Sequence, residues 1–225
     1  MPDDWSDEEL NASVEAYVDM LQKQRSGVSF VKKHYYVELH AKYGRTEKSF
    51  EYRMQNISYV LSLMGRRWLP GLKPAKNVGT KNAAKIETML AQAENVAVFP
   101  TAAFEAIVRE EINKPLLLQP AGNAAPKIMQ TEVSTYQRDA RVKAWVLKDA
   151  NGTCEGCGLP APFCGVDGIP YLEVHHIRQL ADTGSDTITN VVALCPNCHR
   201  EMHYGITQDT LTEKLYTRVA RLIRE

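Results

Sequence analysis

Apolar positions in the first hundred residues recur at the three- and four-residue spacing of amphipathic helices. Ser6 is followed three residues later by Glu9, which forms a capping box, so the first helix is predicted to begin there. By the same pattern, further helices are predicted over 29–43, 46–64, 81–94 and 101–113. The apolar stripes therefore predict a helical N-terminal domain over 1–113.

The pattern changes after residue 113. Residues 114–134 lose helical periodicity and contain three prolines and a glycine, which predicts a linker. Beyond it, Tyr171–Ile177 is predicted as a strand and Asn197–Tyr204 as a short helix. We therefore expect an α+β protein whose second domain covers 135–225.

Composition excludes several classes of protein. The chain has 225 residues, of which 44% are apolar and 24% are charged, as in globular proteins of one or two domains. Apolar runs such as 95–99 are far shorter than the roughly 20 residues that cross a bilayer. A leader has a basic segment followed by an apolar one, whereas the first ten residues here are acidic. We expect a cytoplasmic protein with no membrane partner.

Two Cys-x-x-Cys pairs, Cys154 with Cys157 and Cys195 with Cys198, indicate a metal site. In a chain without a secretion signal, such pairs favour metal over disulfides. Together they supply four thiolates, which complete a tetrahedral zinc site and leave no position open, so the predicted Zn²⁺ is structural. A redox or disulfide pair is the alternative. Cys164 is left over and is predicted to bind no metal.

Four histidines accompany the cysteines. His175 and His176 are neighbours on the predicted strand, where alternation sends their side chains to opposite faces. His199 and His203 are four residues apart and share one face of the predicted helix. This pair can close on a second metal ion beside His175, which leaves His176 for a different task.

These elements resemble the ββα-metal motif of the HNH nuclease family. The resemblance rests on the strand LEVHHI, on Asn190 in NVVALC, and on the second Cys-x-x-Cys pair with the helix that follows it, CPNCHREMH. Through VKAWVL, CEGCGLPAPF and GIPYLEVHHI, the chain also resembles the nuclease domains of restriction endonucleases that act on modified cytosine. The resemblance covers about 138–204 and does not extend to the first 120 residues.

The resemblance implies a metal-dependent phosphodiesterase with assigned residues. His176 would be the general base, with its other ring nitrogen held by a backbone carbonyl. His175, His199 and His203 would bind a catalytic divalent cation, and Asn190 would position the loop between the strands. The identity of the cation stays open among Mg²⁺, Mn²⁺, Ni²⁺, Co²⁺ and Zn²⁺, because imidazole suits the last four better although magnesium is abundant.

Charge is unevenly distributed although 27 basic and 27 acidic residues balance. Residues 1–20 contain seven acidic and no basic residues, whereas residues 21–90 contain fourteen basic and four acidic residues. A solvated surface can explain such a run, but a nuclease needs a polyanion, so the N-terminal domain is predicted to bind DNA. The candidate DNA contacts are Arg45, Lys48, Arg53, Arg66, Arg67 and Arg200, with Arg178 as a further phosphate clamp.

The hypothesis from sequence is an HNH endonuclease that hydrolyses double-stranded DNA. The resemblance further implies type IV-like restriction of modified DNA, for example DNA that contains 5-methylcytosine. A homodimer is expected if both strands are cut, because each chain supplies one predicted active site. Two alternatives stay open: a zinc-ribbon DNA-binding regulator without catalysis, and an HNH nuclease that acts on RNA or on unmodified DNA.

Overall fold

Two units make up the fold, Met1–Ser134 and Thr135–Glu225. The computed structural model describes residues 5–96, 100–116, 119 and 136–225. Most of the linker predicted over 114–134 lies outside the described residues, so that part of the domain division stays a prediction. Among the described residues, no helix combines the length and the apolar character needed to span a membrane.

The first unit is helical in its described part. Its helices are α1 (Asp7–Arg25), α2 (Lys32–Tyr43), α3 (Glu47–Leu63), α4 (Thr80–Ala93) and α5 (Thr101–Ile112). The predicted capping box is present, because the Glu9 N–H donates to the Ser6 hydroxyl and the Ser6 N–H donates to the Glu9 carboxylate. Helix α2 ends at Gly44 in the left-handed conformation with φ 75°, as predicted, but it begins three residues later than Ser29.

The core of the first unit forms where α1 and α3 pack together. The apolar stripe of α3 is fully buried there, and Tyr17 of α1 lies beside it. The Tyr17 hydroxyl forms a hydrogen bond of 2.8 Å with the Ser58 hydroxyl and accepts one of 2.9 Å from the Leu69 N–H. Burial raises the pKa of Tyr17 to about 12, so the hydroxyl stays protonated and keeps both partners at neutral pH.

A buried carboxylate joins α4 to α5. Glu87 is only 1% exposed, and its oxygens accept hydrogen bonds of 2.8, 2.9 and 3.1 Å from the backbone N–H groups of Thr101, Ala102 and Ala103. Pro100, which precedes α5, provides no side-chain cap. A negative charge at a helix N-terminus is favourable, and the three donors compensate for its loss of water. Glu87 therefore caps α5 from a different helix.

The second unit contains a two-stranded sheet among helices. Its elements are α6 (Ala140–Ala150), β1 (Glu173–His176), β2 (Val191–Leu194), α7 (Pro196–Tyr204) and α8 (Gln208–Arg218), with a short 3-10 helix over Leu180–Asp182. The strands pair in antiparallel register, with His175 opposite Val192 and His176 opposite Val191. The helices and the sheet confirm the predicted α+β fold class.

A small core holds the second unit together. All four residues of β2 are buried and pack with Val146 of α6 and with Leu211 and Leu215 of α8. Two cysteine side chains, Cys154 and Cys198, belong to the same core. Sulfur atoms therefore lie where a larger domain would place more apolar side chains.

The capping role of Glu87 predicts that Glu87→Gln destabilises the first unit by about 1–3 kcal/mol, because the amide loses the charge and one acceptor oxygen. Urea unfolding followed by the fluorescence of Trp5 and Trp68, in a Trp145→Phe background, measures this change. Glu110→Gln, at an exposed position on α5, is the control and should leave the midpoint unchanged. Equal midpoints for the two variants would contradict the capping role.

Candidate functional site

Four cysteine side chains meet at the start of α7. Cys154 and Cys157 lie in the turn after α6, Cys195 immediately precedes α7, and Cys198 lies in its first turn. Their sulfur atoms all lie within 4.8 Å of one another. Sulfur ligands of one tetrahedral zinc ion are about 3.8 Å apart, as bond lengths near 2.3 Å require. The two predicted pairs therefore come together as one cluster.

The electrostatics of this cluster fit a cation. Burial and the neighbouring thiols of Cys195 and Cys154 raise the pKa of Cys198, because a further negative charge beside other sulfurs in a buried site is unfavourable unless a cation balances it. Burial also opposes the ionisation of Cys154, but hydrogen bonds from the backbone N–H groups of Cys157 and Cys195 lower its pKa. The Cys195 N–H lies 3.1 Å from the Cys154 sulfur. The four donors thus suit a zinc ion, whereas Cys164 is exposed outside the cluster.

Three imidazoles form a second cluster between β1 and α7. The ring centroids of His175, His199 and His203 are 4.9–5.0 Å apart, and their nitrogen donors lie within 4.8 Å of one another. His175 is buried and the other two are half-buried. Three nitrogen donors that meet at a partly open surface suit a divalent transition metal and leave coordination positions for other ligands. His203 therefore lies in this cluster on equal terms with the other two.

A carboxylate binds the Nδ1 nitrogen of one imidazole of the cluster. Glu173, at the start of β1, forms a hydrogen bond with Nδ1 of His199 and accepts another of 3.2 Å from the Tyr171 hydroxyl. With Nδ1 engaged, Nε2 is the nitrogen of His199 that is left for a metal. The sequence analysis did not identify Glu173, although it lies two residues before His175 and hence on the same face of the strand.

His176 points to a different set of neighbours from His175. Its Nε2 atom lies 2.7 Å from an Asp186 carboxylate oxygen, and the other oxygen of Asp186 accepts a 2.6 Å hydrogen bond from the Asp139 N–H. The sequence analysis expected a backbone carbonyl at this ring nitrogen, and that expectation is wrong for the described structure. The reason is that the loop between the strands returns Asp186 to the face of β1 that carries His176.

Asn190 connects the two ends of the loop between β1 and β2. Its side-chain oxygen accepts a 2.9 Å hydrogen bond from the Arg178 N–H, and its amide nitrogen donates to the carbonyls of Arg178 at 2.9 Å and Ser185 at 2.8 Å. The Arg178 guanidinium donates to the Asp182 carbonyl at 2.8 Å, so it supports the same loop. Arg200 is exposed on α7.

Two arginines in the basic region of the first unit stack on an aromatic ring. The guanidinium carbons of Arg45 and Arg53 lie 4.6 and 4.3 Å from the centre of the Trp5 ring. Arg45 also forms a 2.7 Å ion pair with Glu9, and Arg53 is buried. Part of the charge separation seen in the sequence is thus neutralised inside the unit.

The remaining basic candidates differ in exposure. Arg66 forms a two-pronged ion pair with Glu94, with distances of 2.8 and 2.6 Å. Arg67 is half-buried, whereas Lys48 is exposed on α3. The assignment of these residues to DNA contact stays a prediction, and Lys48 is the candidate whose position suits it best.

The sulfur cluster predicts that Cys195→Ser releases tightly bound zinc, because a hydroxyl is a much weaker zinc ligand than a thiolate. Cys164→Ser, the same change at the exposed thiol, should retain the zinc. Zinc content measured by elemental analysis after dialysis, with circular dichroism of both variants, distinguishes them. Because the unit has a small core, loss of zinc should also unfold it. A folded protein that holds no zinc, or equal zinc in both variants, would contradict this assignment.

Comparison with known proteins agrees with this geometry. Residues 154–205 match the family model of the HNH endonuclease. Over 109 residues, 48% of this chain, the sequence is 50% identical to the type IV methyl-directed restriction enzyme EcoKMcrA of Escherichia coli (strain K12). The chain spans 39% of the length of that relative. Both the cysteine and the histidine cluster therefore lie within the residues that match the HNH endonuclease family.

Proposed function

We propose that this protein is a metal-dependent endonuclease that hydrolyses phosphodiester bonds of DNA. The observation that supports this most is the convergence of His175, His199 and His203 beside a fourth histidine, His176, which has separate neighbours. A protein that only bound DNA would have no chemical need for these four imidazoles. The HNH family match over the same residues supports the same reaction.

Hydrolysis of a phosphodiester needs charge neutralisation at phosphorus and at the leaving oxygen. A divalent cation bound by His175, His199 and His203 would supply this as a Lewis acid. The chain contributes the orientation of these imidazoles, because Glu173 holds His199 from behind and β1 holds His175 against α7. Imidazole donors favour Mn²⁺, Ni²⁺, Co²⁺ or Zn²⁺, and Mg²⁺ is the abundant alternative.

The attacking water needs a base, and we assign this task to His176. Its position next to His175 in β1 keeps it within one residue of the cation cluster, while alternation along the strand keeps it out of that cluster. A neutral imidazole can take a proton from water near neutral pH. Asn190 holds the loop on which the partner of His176 lies.

The cysteine cluster is proposed to hold a structural Zn²⁺. Cys195 and Cys198 flank the first turn of α7, and His199 is the next residue of that helix. A zinc ion bound there would fix the start of α7 and so the distance of His199 and His203 from β1. The metal held by sulfur would therefore affect the reaction only by fixing the positions of His199 and His203.

The substrate is proposed to be modified double-stranded DNA, such as DNA that contains 5-methylcytosine. The support is the 50% identity to an enzyme named methyl-directed, over part of its length. In this proposal the first unit contacts the DNA and selects the modified site, because the small HNH domain has little surface for base reading. Cleavage of both strands would use two copies of the chain.

The proposed base predicts that His176→Ala reduces plasmid nicking about 100-fold or more, the usual contribution of a general base. The assay incubates purified protein and plasmid with Mn²⁺ or Mg²⁺. Metal content should stay unchanged, because His176 lies outside the metal cluster. His34→Ala, at an exposed histidine of α2, is the control and should cleave at the normal rate.

The outcomes of the same assay separate the alternatives. Cleavage of methylated plasmid in preference to matched unmethylated plasmid and to single-stranded RNA supports the proposed substrate. Preferential cleavage of unmethylated DNA or of RNA would support the proposed nuclease activity but contradict the proposed specificity for modified DNA. Absence of cleavage with every DNA and metal, while DNA binding persists, would favour the zinc-ribbon regulator.

The exposed position of Lys48 predicts that Lys48→Glu weakens DNA binding and lowers the slope of log affinity against log salt by about 1, as expected for one phosphate contact. Fluorescence anisotropy with labelled duplex DNA at several salt concentrations measures both quantities. Lys114→Glu makes the same charge change at a lysine that is 2.5 Å from Glu111, and it serves as the control. Equal slopes for the two variants would remove Lys48 from the DNA interface.

A further inference from the structure

The contact between His176 and Asp186 has a consequence for the chemistry of the imidazole. His176 is 7% exposed, and its Nε2 atom lies 2.7 Å from Oδ1 of Asp186. An ionised carboxylate can only accept hydrogen bonds, so the proton of the neutral ring must then sit on Nε2. The lone pair is left on Nδ1, which becomes the ring nitrogen able to take a proton from water.

The surroundings of Asp186 keep its carboxylate ionised. Burial works against ionisation, but the hydrogen bond from the Asp139 N–H and the contact with His176, with a smaller contribution from Arg138, lower the pKa of Asp186 below its ordinary value. The Asp139 N–H donates to Oδ2 at 2.6 Å, so each oxygen of the carboxylate has its own donor. The two donors fix the plane of the carboxylate as well as its charge.

The loop around Asp186 is held from several sides. The Ser185 N–H donates to Glu225 at 2.9 Å, and the Ser185 carbonyl accepts from Asn190 at 2.8 Å. At Gly184 the backbone passes so close to Arg178 that an added Cβ would lie 2.0 Å from the Arg178 carbonyl oxygen. Only glycine fits there, and the next two residues are therefore placed tightly over β1.

We propose that Asp186 is a positioning residue of the active site, which holds His176 in the tautomer and orientation that the hydrolysis requires. The inference rests on the proposed nuclease function, because it assigns a partner to the proposed base. Asp186 touches neither the substrate nor the metal cluster in this role and acts through the imidazole. It performs the task that an aspartate performs for the histidine of a serine protease triad.

The role predicts that Asp186→Asn lowers the single-turnover cleavage rate about 100-fold, since the amide can also donate to Nε2 and so stabilise the opposite tautomer. The affinity for DNA and the metal content should stay at the level of the unchanged protein. Asp186→Glu retains the negative charge and should recover part of the rate. Glu225→Gln is the control, because it loosens the same loop at Ser185 without touching His176, and it should cleave within about 3-fold of the normal rate.

A double-mutant comparison separates positioning from loop folding. If Asp186 acts through His176, adding Asp186→Asn to His176→Ala causes no further loss of rate. A further loss in the double variant, or an Asp186→Asn variant that cleaves normally, would overturn the inference.

The tautomer itself can be measured without cleavage, so a failure of the nuclease proposal is distinguishable from a failure of this inference. Long-range proton–nitrogen NMR correlation on the nitrogen-labelled, zinc-loaded protein should show His176 protonated at Nε2. Comparison with His176→Ala assigns the signal. Protonation at Nδ1 alone would overturn the inference, whatever the protein does to DNA.

Discussion

The position of α7 against β1 is the constraint on which the second unit depends. Helix α7 begins between Cys195 and Cys198, and the histidines that face His175 lie on that same helix. The apolar core around β2 is small, and cysteine side chains form part of it. Sulfur ligands gathered on one ion would therefore fix the helix more firmly than the apolar contacts could, and the distance between the histidines follows from that.

Two carboxylates give the two kinds of histidine their different properties. Glu173 takes Nδ1 of His199 and so leaves Nε2 for the metal cluster, while Asp186 takes Nε2 of His176 and leaves Nδ1. Neighbouring imidazoles on one short strand and one short helix would otherwise be chemically alike. The two carboxylates are not part of the metal-donor cluster, but their hydrogen bonds decide which nitrogen each imidazole has available.

The features that depend on neighbouring residues could be predicted from the sequence, whereas contacts between distant segments could not. The capping box at Ser6 and the left-handed end of α2 follow from neighbouring residues, and the histidine cluster follows from strand alternation and helix spacing. The contact of Asp186 with His176 depends on how a loop folds back, and the capping of α5 by Glu87 joins two helices. Likewise, no spacing rule could show that Arg53 stacks on Trp5 rather than facing solvent.

We propose that sulfur and imidazole hold two different ions in one small domain. X-ray absorption at the zinc and manganese edges of protein loaded with both metals tests it most directly. We expect zinc with four sulfur neighbours at about 2.3 Å and manganese with nitrogen and oxygen neighbours and no sulfur. Zinc surrounded by a mixture of sulfur and nitrogen, or manganese without imidazole neighbours, would contradict it.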